Sequence, residues 1–180
     1  TAATGTTGTI TVSNQINITG TAAEVVSALA AITNTGNAKV ALSGNHDLAQ
    51  LKAINNATSG EITLFNYAFN LSGSTADVKA ALTGDFAAAY TGNVTLSDVN
   101  ETDITATDIT TIDGDTGGTI TVSNTIDING TATEVAAAFT AIDTNTGQAT
   151  ATLTNNHTLA LLKTINDATT GEITLHTTGY

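Results

Sequence analysis

The sequence predicts an α/β protein, a parallel β/α solenoid with coils of about 27 residues arranged β-β-α, β-α per unit of about 54. Three observations carry that prediction. A phrase of the form Gly-x-Ile-Thr-Val/Leu occurs four times, at Gly8–Val12, Gly60–Leu64, Gly118–Val122 and Gly171–Leu175, with spacings of 52, 58 and 53 residues. A helix-start phrase follows three of them, at Gly20–Val25, Gly73–Val78 and Gly130–Val135. Period-two alternation gives way to helical spacing again and again along the chain, the pattern of strands joined by crossover helices.

The unit boundaries follow from the first phrase. Residues 1-7 read as the end of a preceding repeat, 8-59 as unit one, 60-117 as unit two, 118-170 as unit three and 171-180 as the start of unit four. Units one and three are the most alike, over Gly8–Leu64 and Gly118–Leu175, which adds a longer period of about 110 residues. Neither terminus shows a distinct polar cap of the kind that closes a solenoid. The chain is therefore read as part of a longer array, or as a subunit that stacks end to end.

Within unit one, Ile10 and Val12 alternate with Thr9 and Thr11, which predicts a strand with one buried face. Ile16 and Ile18 predict a second strand. Thr21 with Glu24 has the spacing of a capping box, as do Ser74 with Asp77 and Thr131 with Glu134. Val25, Leu29 and Ile32 share one face of the helix that follows, and Gly36-Asn37 is its predicted end. Val40 and Leu42 form the next strand. Asn45 is the expected cap of a helix carrying Leu48, Leu51 and Ile54, with Asn100 and Asn156 at the corresponding places later. The predicted core column runs Ile10, Val40, Ile62, Val94, Ile120, Ala151, Ile173, and runs of Ala in the helices permit close packing. At ~4.8 Å per strand the stack is a rod roughly 30 Å long.

The composition narrows function. Thr supplies 40 of the 180 residues, only four are basic, and the formal net charge is -12. So acidic a surface lacks the basic footprint of a nucleic-acid partner, or of binding to anionic membranes. No apolar run approaches the ~20 residues of a membrane span. With no Cys there are no disulfides and no thiolate metal sites.

Two phrases carry a family resemblance. Thr-Gly-Thr-Ala-Ala-Glu-Val at 19–25 and Ile112-Asp-Gly-Asp-Thr-Gly-Gly-Thr-Ile120 resemble the Thr/Ala/Gly-rich repeats of very large surface proteins of marine cyanobacteria and related bacteria. The resemblance covers most of the chain. It implies an extracellular or cell-surface location and roles in adhesion, surface layers, biofilm or surface motility. It also implies calcium as an accompanying ion, and it transfers no catalytic residue.

The candidate metal ligands are Asp108, Asp113 and Asp115, where Asp113-Gly-Asp115 reads as a polar turn after a helix and calcium is the cation such oxygens would take. His46 and His157 are repeat-equivalent and are expected as exposed residues of a first helical turn; His176 has no evident partner. Glu101 and Asp103 are a carboxylate pair without an aromatic sugar subsite. No phosphate loop, nucleophile elbow or His-Glu-x-x-His helix is present, so no enzyme is predicted. The expected function is a structural segment of an extracellular filament, surface layer or adhesin stalk. Its partners are copies of itself, end to end and side by side. The alternative is a surface-, glycan- or ice-binding module that uses Thr9/Thr11 and Thr119/Thr121 on the outer strand face, although Glu61 and Glu172 interrupt that rank.

Overall fold

A computed structural model describes residues 10–12, 14–33, 36–145 and 148–177. The expected preceding repeat at 1-7, with Gly8 and Thr9, lies outside the described residues, as do the last three of the expected fourth unit.

The fold is mixed α/β, with parallel sheets and, among the described residues, six helices. Along the chain run β1 (Ile10–Thr11), β2 (Asn17–Gly20), α1 (Ala22–Ala31), β3 (Ile32–Thr33), β4 (Lys39–Leu42) and α2 (Leu48–Ala57). Next come β5 (Ile62–Thr63), β6 (Leu71–Gly73), α3 (Thr75–Leu82), β7 (Val94–Leu96), β8 (Asp103–Thr105) and α4 (Ala106–Asp115). The remainder is β9 (Ile120–Val122), β10 (Asp127–Gly130), α5 (Ala132–Ala141), β11 (Thr144–Asn145), β12 (Thr150–Leu153), α6 (Leu159–Ala168) and β13 (Ile173–Thr174). Each helix packs on its neighbours in chain order.

Four short ladders hold the strands: β1-β3, β2-β4-β5, β6-β7-β9-β11 and β8-β10-β12-β13. Every pairing is parallel, and paired residues lie 22 to 26 positions apart. This rung is shorter than the expected coil of about 27 residues. The difference is a sideways step. β5 and β9 open successive sequence units yet lie in different ladders, so each unit spends residues crossing from one ladder to the next.

That step also divides the expected core column. Val40 pairs with Ile62, Val94 with Ile120, and Ala151 with Ile173, but Ile62 continues to Phe86 rather than to Val94. Ile10 pairs with Ile32 and is 52% exposed, whereas its repeat twin Ile120 is fully buried. The continuous core is instead formed where ladder residues such as Val40, Ile62, Val94, Ile120 and Ile128 meet helix residues such as Val25, Leu51, Val78, Ile109 and Val135.

Local signals set the helix starts. The capping boxes Thr21/Glu24 and Thr131/Glu134 both form. Ser74 accepts from the Asp77 amide, but Asp77 turns its carboxylate to Lys52 instead of closing the box. Three cap expectations fail. The caps of α2, α4 and α6 are Asp47, Thr105 and Thr158, not Asn45, Asn100 and Asn156. Helix α1 ends at Ala31, before Gly36-Asn37, because β-branched Ile32 and Thr33 pass straight into β3. In unit two a turn at Val99–Thr102, with Glu101 at φ 65, leads into β8, which opens the fourth ladder and accounts for the longer 58-residue spacing.

Candidate functional site

The most regular constellation is a clasp between successive layers. A Thr-x-Gly phrase spans each of three unit boundaries: Thr58-Ser-Gly60, Thr116-Gly-Gly118 and Thr169-Thr-Gly171. The three threonines are buried. Each donates its hydroxyl to a main-chain carbonyl of the layer before, at Ala38 (2.6 Å), Gly92 (2.8 Å) and Ala149 (2.6 Å). Each hydroxyl also accepts from the glycine amide two residues on, at 3.0, 3.1 and 3.0 Å. The glycine is required by the close approach. A Cβ at Gly171 would stand 2.5 Å from the Ala149 carbonyl oxygen, and one at Gly60 or Gly118 would collide with backbone in the same way.

Asx side chains and lysines add further links. Buried Asp98 accepts from the Thr75 amide (2.9 Å) and the Thr75 hydroxyl (2.7 Å) at the start of α3. Asn155, its repeat equivalent, accepts from the Ala132 amide at the start of α5 (2.8 Å). Three of the four lysines reach an acid one layer on: Lys39 to Glu61 (3.5 Å), Lys52 to Asp77, and Lys79 to Asp108. The fourth, Lys163, pairs with Asp167 on its own helix. The hydrogen bond from Lys52 holds the Asp77 carboxyl below the usual range, and bonds from Thr21 and Thr131 do the same for Glu24 and Glu134.

The expected calcium ligands are not gathered. Asp108, Asp113 and Asp115 all lie on α4, so the Asp-Gly-Asp segment is its last turn rather than a turn after it. Asp108 is engaged by Lys79. Asp113 lines a groove of about 550 Å³ between α4 and α5 that also contains Asp143. Asp143 is spent on the Ile120 amide (2.8 Å). One Asp115 oxygen is buried without a hydrogen-bond partner, and burial raises its carboxyl above the ordinary value. Seven residues on a helix span ~10 Å, so Asp108 and Asp115 cannot share an ion. Among the described residues no group of three His, Cys, Asp or Glu stands close enough for a metal.

His46 departs most from expectation. It is 2% exposed, both ring nitrogens lack hydrogen-bond partners, and burial lowers its pKa. Its ring lies 5.3 Å from Phe69 and 6.2 Å from Tyr90, between loops of two later layers. His157, on less covered ground, is half-buried, as is His176. The Thr-x-Thr rank is also cut by the ladder steps. Thr95, Thr121 and Thr144 line up, as do Thr152 and Thr174, but the two rows belong to separate sheets.

Sequence reasoning missed the clasp threonines and Asp98. The sequence shows a threonine two residues before Gly60, Gly118 and Gly171, but what its hydroxyl bonds to lies 20 to 24 residues away. Comparison with known proteins leaves the geometry to speak alone: no family model, curated protein or solved structure matches the chain.

Proposed function

We propose that this chain is a non-catalytic structural segment of an extracellular filament, surface layer or adhesin stalk, built as a parallel β/α solenoid. The observation that carries the reading is the clasp: the same Thr-x-Gly bonds fasten one layer to the next at three successive unit boundaries. Chemistry-bearing side chains are spent in the same way. Asp98, Asn155, Lys52 and Lys79 all bridge layers rather than converging on a cleft. Parallel rungs 22 to 26 residues apart and helices that pack in chain order are what a stacked coil requires. A strongly acidic, Thr-rich exterior keeps neighbouring rods apart and hydrated.

Two measurements on the source organism test this. Antibodies against the chain are expected to label intact cells or the material they shed. A denaturing gel is expected to show either one very long polypeptide or a small subunit recovered from filaments. Label confined to the interior of permeabilised cells refutes the extracellular structural role.

A further inference from the structure

His46 stands at the end of a short bend, Ser43–His46, that joins β4 to α2. It is 2% exposed, and among the described residues neither ring nitrogen has a hydrogen-bond partner. Two later segments cover it. Phe69 precedes β6 and lies 5.3 Å from the imidazole, and Tyr90 precedes β7 and lies 6.2 Å from it, both tilted to its plane.

The cover and the bend are held differently. The Tyr67 carbonyl accepts from the amides of Thr91 (2.8 Å) and Gly92 (3.1 Å), and Tyr90 donates its hydroxyl to the Phe69 carbonyl. Gly92 passes so near that carbonyl that a Cβ there would overlap it. Lifting the cover therefore breaks several bonds at once. The bend is tied at its ends. The Ser43 amide donates to the Gly20 carbonyl at 2.9 Å, and Asp47 closes a capping box with Gln50 at the start of α2. Between these ties Asn45 is exposed, and Gly44 faces open space. The easier way out for the ring is to turn the bend.

Protonation supplies the drive. A neutral imidazole carries one N–H and one lone pair, whereas the protonated ring carries two N–H donors and a charge. An unpaired charge costs far more to bury than an unpaired neutral group. The charges on α2 nearest the ring in sequence are Asp47 and Lys52. Asp47 favours the protonated ring but is outweighed by burial, and Lys52 is paired with Asp77. On the covering segments the titratable side chains are Tyr67, Tyr90 and Asp85. Tyr67 accepts from the Leu64 amide, Tyr90 is bonded to Phe69, and Asp85 is exposed. No acceptor for a second N–H stands at the ring among the described residues.

We propose that the bend Ser43–His46 is an acid-operated release: protonation of His46 expels its ring from between Phe69 and Tyr90 into solvent, the bend turning about Ser43 and Asp47 while the four ladders stay paired. The covered ring takes up a proton less readily than the released one, so the release grows as pH falls through about 6.5, the ordinary histidine value. Between pH 7 and pH 5 the ratio of released to covered ring rises by at most about 25-fold. The release leaves an apolar slot walled by Phe69 and Tyr90.

The test is ¹H–¹³C and ¹H–¹⁵N NMR on the 180-residue chain from about pH 8 to about pH 5, with His46→Phe used to assign the ring. Ring currents from Phe69 and Tyr90 displace the His46 ring protons while it is covered. The expected result is that this displacement disappears as the ring protonates and that the Gly44 and Asn45 amides shift with it. The amides of β9, β10 and β12 are expected to stay put. Phe69→Ala thins the cover and is expected to move the release to higher pH. In His46→Phe, which cannot take the proton, Gly44 and Asn45 are expected to keep their shifts throughout. Three results overturn the proposal. The ring protons protonate in place and remain displaced; or the ladder amides move together with the bend, which is general unfolding; or the bend amides of His46→Phe show the parent's pH dependence.

Discussion

Thr116→Val tests the clasp with almost no change of shape. Valine replaces a buried hydroxyl by a methyl group, so the bonds to the Gly92 carbonyl and from the Gly118 amide are lost together. Hydrogen bonds of this kind contribute about 0.5–1.5 kcal/mol each, and a buried group left unpaired costs about 1–3 kcal/mol. The added methyl returns about 0.8 kcal/mol of apolar burial. The expected net loss is about 2 kcal/mol, which for a chain of this size lowers Tm by about 4–8 °C. Urea unfolding followed by circular dichroism reads it as a lower midpoint at constant slope. Thr63→Val, at an exposed strand threonine, is the control and is expected within about 0.5 kcal/mol of the parent. If Thr116→Val matches Thr63→Val, the hydroxyls do not hold the layers together, and the account of the Thr-x-Gly motif fails.

Gly118→Ala forces a Cβ into the backbone of Gly92 and is expected to cost more than Thr116→Val, about 3 kcal/mol or above, in the same urea experiment. Ile120→Asp places an unpaired carboxylate in a fully buried position and is expected to remove the cooperative transition altogether; a parent-like melt would show that this rung is dispensable. The low pKa of His46 comes from burial, so the unfolded chain binds the extra proton first as pH falls below about 6.5. Stability present above that pH is lost below it, at up to about 1.4 kcal/mol per pH unit, and His46→Phe is expected to flatten that part of the profile. Glu24, Glu134 and Asp77, held below their ordinary values, lose their contribution only at more acid pH, which keeps the two windows apart. Millimolar calcium is expected to move Tm by less than about 1 °C, since only an ion bound to the native fold raises it and Asp108 is already engaged by Lys79; a calcium-dependent rise would restore the α4 carboxylates as ligands.

What the sequence made legible is what a single layer decides. Alternation at Ile120 and Val122 marks a strand wherever that strand pairs, and Thr131 with Glu134 closes a capping box from four residues alone. Relations between layers were harder to read. Asp-Gly-Asp at 113–115 has the composition of a turn, yet Ile109 and Ile112 anchor α4 in the core and carry the helix through it. His46 has the local setting of an exposed helix start, and only the arrival of Phe69 and Tyr90 buries it.

The sideways step of the ladders explains where the repeat departs from itself. Where the second ladder passes to the third, Tyr67, Phe69 and Phe86 pack against the core beside buried Tyr90. Unit two holds five of the seven aromatic residues in the chain: Phe65, which is 63% exposed, and Tyr67, Phe69, Phe86 and Tyr90, which pack on or in the core. Phe86 takes the rung beyond Ile62, and Tyr90, 1% exposed, bridges to Thr116 and donates its hydroxyl to the Phe69 carbonyl. The Tyr67 hydroxyl accepts from the Leu64 amide at 3.1 Å. These rings lie where the second ladder passes to the third, and burial of the Tyr90 phenol, which drives its pKa upward, shows how closed that crossing is. His46 is part of the same filling. Its lack of hydrogen-bond partners follows from its place, a ring among rings.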